Sequence, residues 1–207
     1  IDASHEKWRI AGGFFRFNYG FKDRYLLEVN GRLDGSTKFP VDQQWGFFPS
    51  ISAGWRLSEE PFWKLDKIFS DVKLRASYGS LGVGNIASYT FQELFTISTM
   101  NRLIQGARNQ KTSVPPVLPD GLTWETSTTA NLGLDFGVLD GRMRFTGDIY
   151  TRKTNDMFAV GIDLPATFGA TPPKGNYADM KTNGWEITLS WRDDYKLANK
   201  PFSYDVR

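Results

Sequence analysis

The sequence has 207 residues, with 25 Lys+Arg against 23 Asp+Glu and a formal net charge of +2. That near balance excludes nucleic-acid binding driven by bulk charge, which needs a clear basic excess. Cysteine is absent and His5 is the one histidine, which excludes disulfides, thiolate or histidine-cluster metal sites and a cysteine nucleophile, and leaves any Ser-His-Asp triad a single imidazole to use.

In chain order, apolar and polar residues alternate with period two, the signature of half-buried strands. Phe15, Phe17, Tyr19 and Phe21 open the series around Arg16 and Asn18. Tyr25, Leu27, Val29 and Leu33 follow, set against Glu28, Asn30, Arg32 and Asp34. Ile51, Ala53, Trp55 and Leu57 oppose Ser50, Ser52 and Arg56; Val72, Leu74, Ala76 and Tyr78 oppose Lys73, Arg75 and Ser77. Ala130, Leu132, Leu134 and Phe136 then alternate with Thr129, Asn131 and Asp135, and Met143, Phe145 and Ile149 with Arg144, Thr146 and Asp148. Trp185, Ile187, Leu189 and Trp191 interleave Glu186, Thr188, Ser190 and Arg192, and an eighth run starts at Phe202 and Tyr204. Gly12-Gly13 is where a bulge would fit. The abundance of aromatics and glycine suits this all-β reading.

Eight such strands fit a soluble sandwich or barrel whose apolar face is the core. Two features favour a membrane instead. The polar face is dense in charge of both signs: Arg32, Asp34, Arg56, Lys73, Arg75, Asp135, Arg144, Asp148, Arg152, Glu186 and Arg192. The connections also alternate in length. Residues 22–24, 58–71, 138–141 and 193–200 are short or moderate, whereas 35–46, 79–121 and 153–182 are long. In an antiparallel meander every second connection falls at the same end, so the long loops share one side. That is the layout of an outer-membrane β-barrel with short periplasmic turns and long extracellular loops.

Strands one, three, five and seven then run inward. Lipid-facing positions are Tyr25, Leu27, Val29, Trp55, Leu132, Leu134, Phe136, Leu189 and Trp191; the charged residues face the lumen. Tyr25, Trp55, Phe136, Phe145, Trp191 and Tyr204 recur near the short-turn ends, as an aromatic girdle would. No stretch of about 18 apolar residues is present to cross as a helix. The first residues, from Ile1 to Lys7, lack a signal-peptide pattern, and the last stop inside an alternating run. The expectation is an internal segment of a longer protein, one partial barrel domain over residues 1–207.

Several blocks resemble the SusC/RagA-type TonB-dependent transporters of the outer membrane. Arg32-Leu33-Asp34-Gly35-Ser36-Thr37-Lys38-Phe39 is similar to that family's RxDGSSxF signature. The run from Gly46 to Glu60 resembles the next block, and Lys73–Gly79 with Gly84-Asn85 the LRxSYGxxGN block. Leu122-Thr123-Trp124-Glu125 with Asn131–Gly137, then Asp148-Ile149-Tyr150 with Lys153–Met157, then Asn183-Gly184-Trp185-Glu186 continue in family order.

The resemblance implies a middle-to-late part of a large barrel of about 22 strands, with the plug and the TonB-contacting segment elsewhere. It implies import of oligosaccharides or peptides, energised by TonB, in the outer membrane of a Gram-negative bacterium, with a SusD-like lipoprotein closing the mouth as a lid. It also allows a dimer of transporter–lid pairs. It implies no cofactor.

No residue set looks catalytic, and none looks like a metal site. Glu59-Glu60 before Pro61 reads as a solvated turn or short helix start. Gly82-Val83-Gly84-Asn85 lacks the lysine of a phosphate loop and reads as a flexible strand exit. Asp34-Gly35-Ser36 lacks the acids of a calcium loop and reads as a turn. In the loop from Gly79 to Gly121, aromatics stand beside amides and arginines, a mixture that could stack on and hydrogen-bond a sugar or peptide. Asn85, Tyr89, Phe91, Asn101 and Arg102 are the candidate substrate or lid contacts. Competing readings are a small outer-membrane barrel, since eight strands can close, used as adhesin or structural protein, and a soluble carbohydrate-binding sandwich.

Overall fold

A computed structural model of the chain describes residues 5–119, 121–161, 163, 165–170, 172–197 and 200–207. Its strands are β1 (Ile10–Phe21), β2 (Tyr25–Ser36), β3 (Trp45–Arg56), β4 (Phe69–Val83), β5 (Thr96–Thr99), β6 (Gln110–Ser113), β7 (Glu125–Val138), β8 (Met143–Val160), β9 (Lys174–Leu197) and β10 (Lys200–Val206). Eight of them form one antiparallel sheet in the order β1-β2-β3-β4-β7-β8-β9-β10; β5 and β6 pair as a separate hairpin. The rest is loop and short 3₁₀ turns, and among the described residues no helix is long and apolar enough to cross a membrane.

The register holds the two faces apart across the whole sheet. One row reads Tyr19, Leu27, Ala53, Ala76, Leu132, Ile149 and Trp185, each residue opposite the next on neighbouring strands. The row nearer the short turns reads Tyr25, Trp55, Leu74 and Leu134. The opposite face carries Leu26, Gly54, Arg75, Gly133, Asp148 and Glu186 in one row and Arg56, Lys73 and Asp135 in another. A one-residue slip anywhere would put charges among the leucines.

Among the described residues nothing covers the apolar face. Leu132, Ile149, Trp185 and Leu189 remain 51–72% exposed, so this face is not the dry interior of a two-sheet sandwich. The sheet does not close on itself either, because β1 and β10 lie at its two ends. It is an open antiparallel sheet with one apolar and one charged face.

Two short turns use the same backbone device. Lys22 and Asp23 take φ of 51° and 54°, and the Arg24 N–H reaches the Phe21 carbonyl at 3.0 Å. Leu139 and Asp140 take 56° and 58°, with the Gly141 N–H on the Val138 carbonyl at 3.1 Å. Left-handed centres of this kind match the twist of a tight hairpin.

Three expectations are corrected. The ladder of β1 on β2 runs unbroken through Gly12-Gly13; the irregularities fall at Phe69–Asp71 and Thr154–Phe158. The loop expected over 153–182 is mostly strand, since β8 and β9 continue pairing to Val160 and Lys174. On the long-loop side β8 and β9 go on pairing past the end of β7, whose last partner on β8 is Asn155, up to Val160 and Lys174. The long loop after β4 contains the β5–β6 hairpin.

Candidate functional site

The charged face is built from ion pairs that cross strands. Arg75 on β4 donates through Nε and Nη2 to Asp135 on β7, at 2.6 and 3.0 Å, and through Nη2 to Asp148 on β8 at 3.0 Å. Asn131 donates to the other Asp148 oxygen at 3.0 Å. Gly133 leaves the room: a Cβ there would lie 2.5 Å from Asp148 Oδ1 and 2.7 Å from Arg75 Nη2. Arg32 pairs with Asp34 on its own strand, and Arg56 reaches Glu59 at 3.2 Å and Asp71 at 3.8 Å. Lys73, Arg144, Glu186 and Arg192 share the face by register.

Losing the central guanidinium would strand two carboxylates. Arg75→Met is expected to destabilise the full-length protein by roughly 1–2 kcal/mol, less than a fully buried pair costs because water reaches all three groups. The triple variant with Asp135→Asn and Asp148→Asn should recover most of the loss. Thermal unfolding in detergent checks both, and equal melting of all three proteins would contradict the network's role.

At the long-loop end the loops share a small core. Phe39, Ile86 and Leu122 are buried, with Phe91, Trp124 and Phe158 packed against them. The Trp124 ring lies 4.7 Å from Phe39 and meets Phe48 edge-on at 5.7 Å. Polar bonds fasten the same three loops. Trp124 Nε1 donates to the Gln44 carbonyl at 3.2 Å, and Lys38 Nζ to the Ile86 carbonyl at 3.0 Å. Asn176 on β9 accepts from the Thr123 N–H at 2.9 Å and donates to its carbonyl at 3.0 Å.

The five loop candidates divide within this frame. Phe91 packs on the loop core, and Tyr89 ties the loop to the segment before β1, its hydroxyl 2.9 Å from the Lys7 N–H. Asn85, Asn101 and Arg102 are exposed. The last two lie in the segment that closes the β5–β6 hairpin, which is narrowed by a bridge from Ile104 to Ala107.

At the short-turn end, aromatics line the rim of the apolar face. Phe21, Tyr25 and Trp55 stack at 6.4 and 6.3 Å; Trp63, Phe69, Phe136 and Phe145 continue at 6.3, 5.7 and 4.7 Å. Trp191 Nε1 donates to the Tyr204 hydroxyl at 3.1 Å.

Glu60 was expected in a solvated turn and is instead buried. Its Oε1 accepts from the Tyr25 hydroxyl at 2.6 Å and from Trp55 Nε1 at 2.9 Å, with Arg24 3.7 Å from Oε2. Those bonds, the Tyr25 one first, hold the carboxyl below the usual carboxylate range. A depressed folded-state value means the clamp is complete at neutral pH and is lost as pH falls from about 4.3 through that value. The protection of amides in residues 57–68, taken relative to the intrinsic exchange rate at each pH, should therefore fall on acidification. Glu60→Gln keeps an acceptor and should flatten the acid response; Glu60→Ala should exchange fast at every pH. Glu59, by contrast, is exposed beside Arg56.

Residues 3–206 match the family described as TonB dependent receptor-like, beta-barrel. The chain is 35% identical over 202 residues to the TonB-dependent receptor SusC of Bacteroides thetaiotaomicron, covering 95% of this chain and 20% of that protein. It is 33% identical over 190 residues to a TonB-dependent receptor of Formosa agariphila, covering 92% and 19%. Among solved structures it is similar to the RagAB peptide transporter, with a TM-score of 0.76 and 26% identity over 96% of this chain and 22% of that one. The chain thus spans about a fifth of the length of the proteins it matches. An open antiparallel wall, two chemically opposed faces and a match over nearly every residue place this chain in the TonB-dependent receptor β-barrel family.

Proposed function

We propose that the sheet is a lumen-to-lipid wall of an outer-membrane importer for oligosaccharides or peptides, energised by TonB and closed by a SusD-like surface lipoprotein. The observation that carries this is the uncovered apolar face backed by a charged one. Lipid offers no hydrogen bonds, so a closed sheet with an apolar exterior is the form that can reside in it. Arg32, Asp34, Arg56, Lys73, Arg75, Asp135, Arg144, Asp148, Glu186 and Arg192 then line a wet interior. Tyr25, Leu27, Val29, Trp55, Leu132, Leu134, Phe136, Leu189 and Trp191 meet lipid. TonB acts through parts of the protein outside these residues.

Substrate and lid meet the loop end. Asn85, Asn101 and Arg102 supply amide and guanidinium groups that bond hydroxyls or peptide groups alike, while Tyr89 and Phe91 hold the loop that presents them. Similarity to SusC and to the RagAB peptide transporter supports import.

The test is growth and uptake. A strain lacking the gene should lose growth on the transported glycan or peptide pool. Restoring it with Asn101→Ala/Arg102→Ala should leave the barrel in the membrane and lower uptake several-fold. Unchanged growth of the deletion strain on both pools would count against import. Co-purification of a surface lipoprotein tests the lid.

A further inference from the structure

The turn after β3 does not hang free below the sheet. Tyr25 and Trp55, which hold Glu60, belong to the apolar face, and Trp63 leans on Phe69 and so on Phe136 of that same face. The segment from Leu57 to Ile68 is thereby fastened to the lipid side of the wall at the level of the aromatic rim. There it leaves Phe62, Leu65 and Ile68 exposed at 61%, 47% and 58%. Lys64, Asp66 and Lys67 are exposed between them, so the free charge on the turn is two lysines against one aspartate. Glu59 and Glu60 are engaged by Arg56 and by Tyr25, Trp55 and Arg24. Among the described residues no ion pair engages either lysine.

Directly above the rim the apolar face is hollow. Ala53 and Ala76 face each other across β3 and β4 between the larger Leu27 and Leu132. The result is an apolar groove of about 550 Å³ whose lower end is Tyr25 and Trp55. A groove without side-chain bulk, ending on interfacial aromatics next to unpaired lysines, has the form of one phospholipid. An acyl chain fits the groove, and lysine stems snorkel while their ammonium groups meet a headgroup phosphate.

We infer that the Leu57–Ile68 turn and the Ala53–Ala76 groove form a binding site for an anionic phospholipid of the inner leaflet. The inference rests on the lipid-facing assignment of the apolar face. It adds to that assignment a preferred lipid class and a foot that fixes the depth of the wall.

The test uses the full-length transporter in mild detergent, titrated with phosphatidylglycerol or phosphatidylcholine and read by native mass spectrometry. The wild type should retain phosphatidylglycerol several-fold more than phosphatidylcholine. Lys64→Gln/Lys67→Gln should abolish that preference, and Ala76→Phe, which fills the groove, should lower retention of both lipids. Equal retention by the wild type, or a preference unchanged in the lysine variant, overturns the site. A nitroxide at position 132 in proteoliposomes separates the two failures. If it is inaccessible to oxygen dissolved in lipid, the wall assignment itself falls; if it is accessible while the preference is missing, only the lipid site falls.

Discussion

Replacing Leu132 by arginine is expected to cost the barrel about 2–4 kcal/mol, the penalty for a cation at mid-depth on a lipid-facing strand. Leu132 is near the centre of β7, and its row contains Leu27, Ala53, Ala76 and Ile149 and no charge. Ser77→Arg, one residue further along from Ala76 and on the charged face, should cost little because its neighbours there are Ser52 and Asn131. The contrast is read as the amount of folded, heat-modifiable full-length protein recovered from the membrane fraction. Leu132→Arg should lower it steeply and Ser77→Arg should not. Equal levels of the two variants would contradict the assignment of faces.

Phe39→Ala is expected to release the loops without dismantling the wall. Phe39 is fully buried, and its ring meets Trp124, which in turn meets Phe48 on β3. Removing a buried phenyl ring costs about 3–5 kcal/mol through lost contact and the cavity left behind. The polar bonds that remain tie the loops to one another and to β9 at single points, so the loss should appear as local opening and not as global unfolding. Exchange at residues 84–95 and 115–124 should rise by orders of magnitude while β7 and β8 stay protected. Phe95→Ala, at a ring 64% exposed, should change nothing. Uptake through the Phe39→Ala transporter is also expected to fall, because the loop carrying Asn85, Asn101 and Arg102 loses its footing.

The two faces of the sheet were legible in the sequence because a strand with one apolar and one polar face must alternate. The residues expected on the charged face, from Arg32 to Arg192, fall on one side of the observed register and those expected in the apolar set on the other, except Leu57, which lies in the 3₁₀ turn after β3. Where that constraint ends, the pattern fades. β8 and β9 continue through Arg152, Lys153 and Thr154 opposite Thr182, Lys181 and Met180. There the ladder has no apolar face to show it, and side-chain bonds such as Thr154 Oγ1 to Ser127 and the Asp156 N–H to Asp179 Oδ1 supplement the backbone pairing. The bulge expected at Gly12-Gly13 fails for a local reason: Gly12 sits where a Cβ would lie 2.5 Å from Asp34 Oδ1, so the small residue serves close packing and not a register shift.

The loop core and the Glu60 clamp were hidden for a different reason. Phe39, Ile86 and Leu122 are single apolar residues in three separate loops, with no period to link them. Glu60 finds a partner 35 residues away in Tyr25, a relation set only once β2 and β3 pair. Tryptophan at position 124 was the visible signal, since a large ring at a strand entrance needs something to cover it. Asn176 carried none.

The most direct test of the account is a cysteine scan along β7, from Thr129 to Phe136, in the full-length transporter in proteoliposomes, each site carrying a nitroxide. Positions 130, 132, 134 and 136 should be relaxed by oxygen in the bilayer and shielded from a water-soluble nickel chelate. Positions 129, 131, 133 and 135 should not respond to lipid-dissolved oxygen. Loss of that alternation, or shielding of the even positions from both agents, would contradict a wall between lipid and lumen.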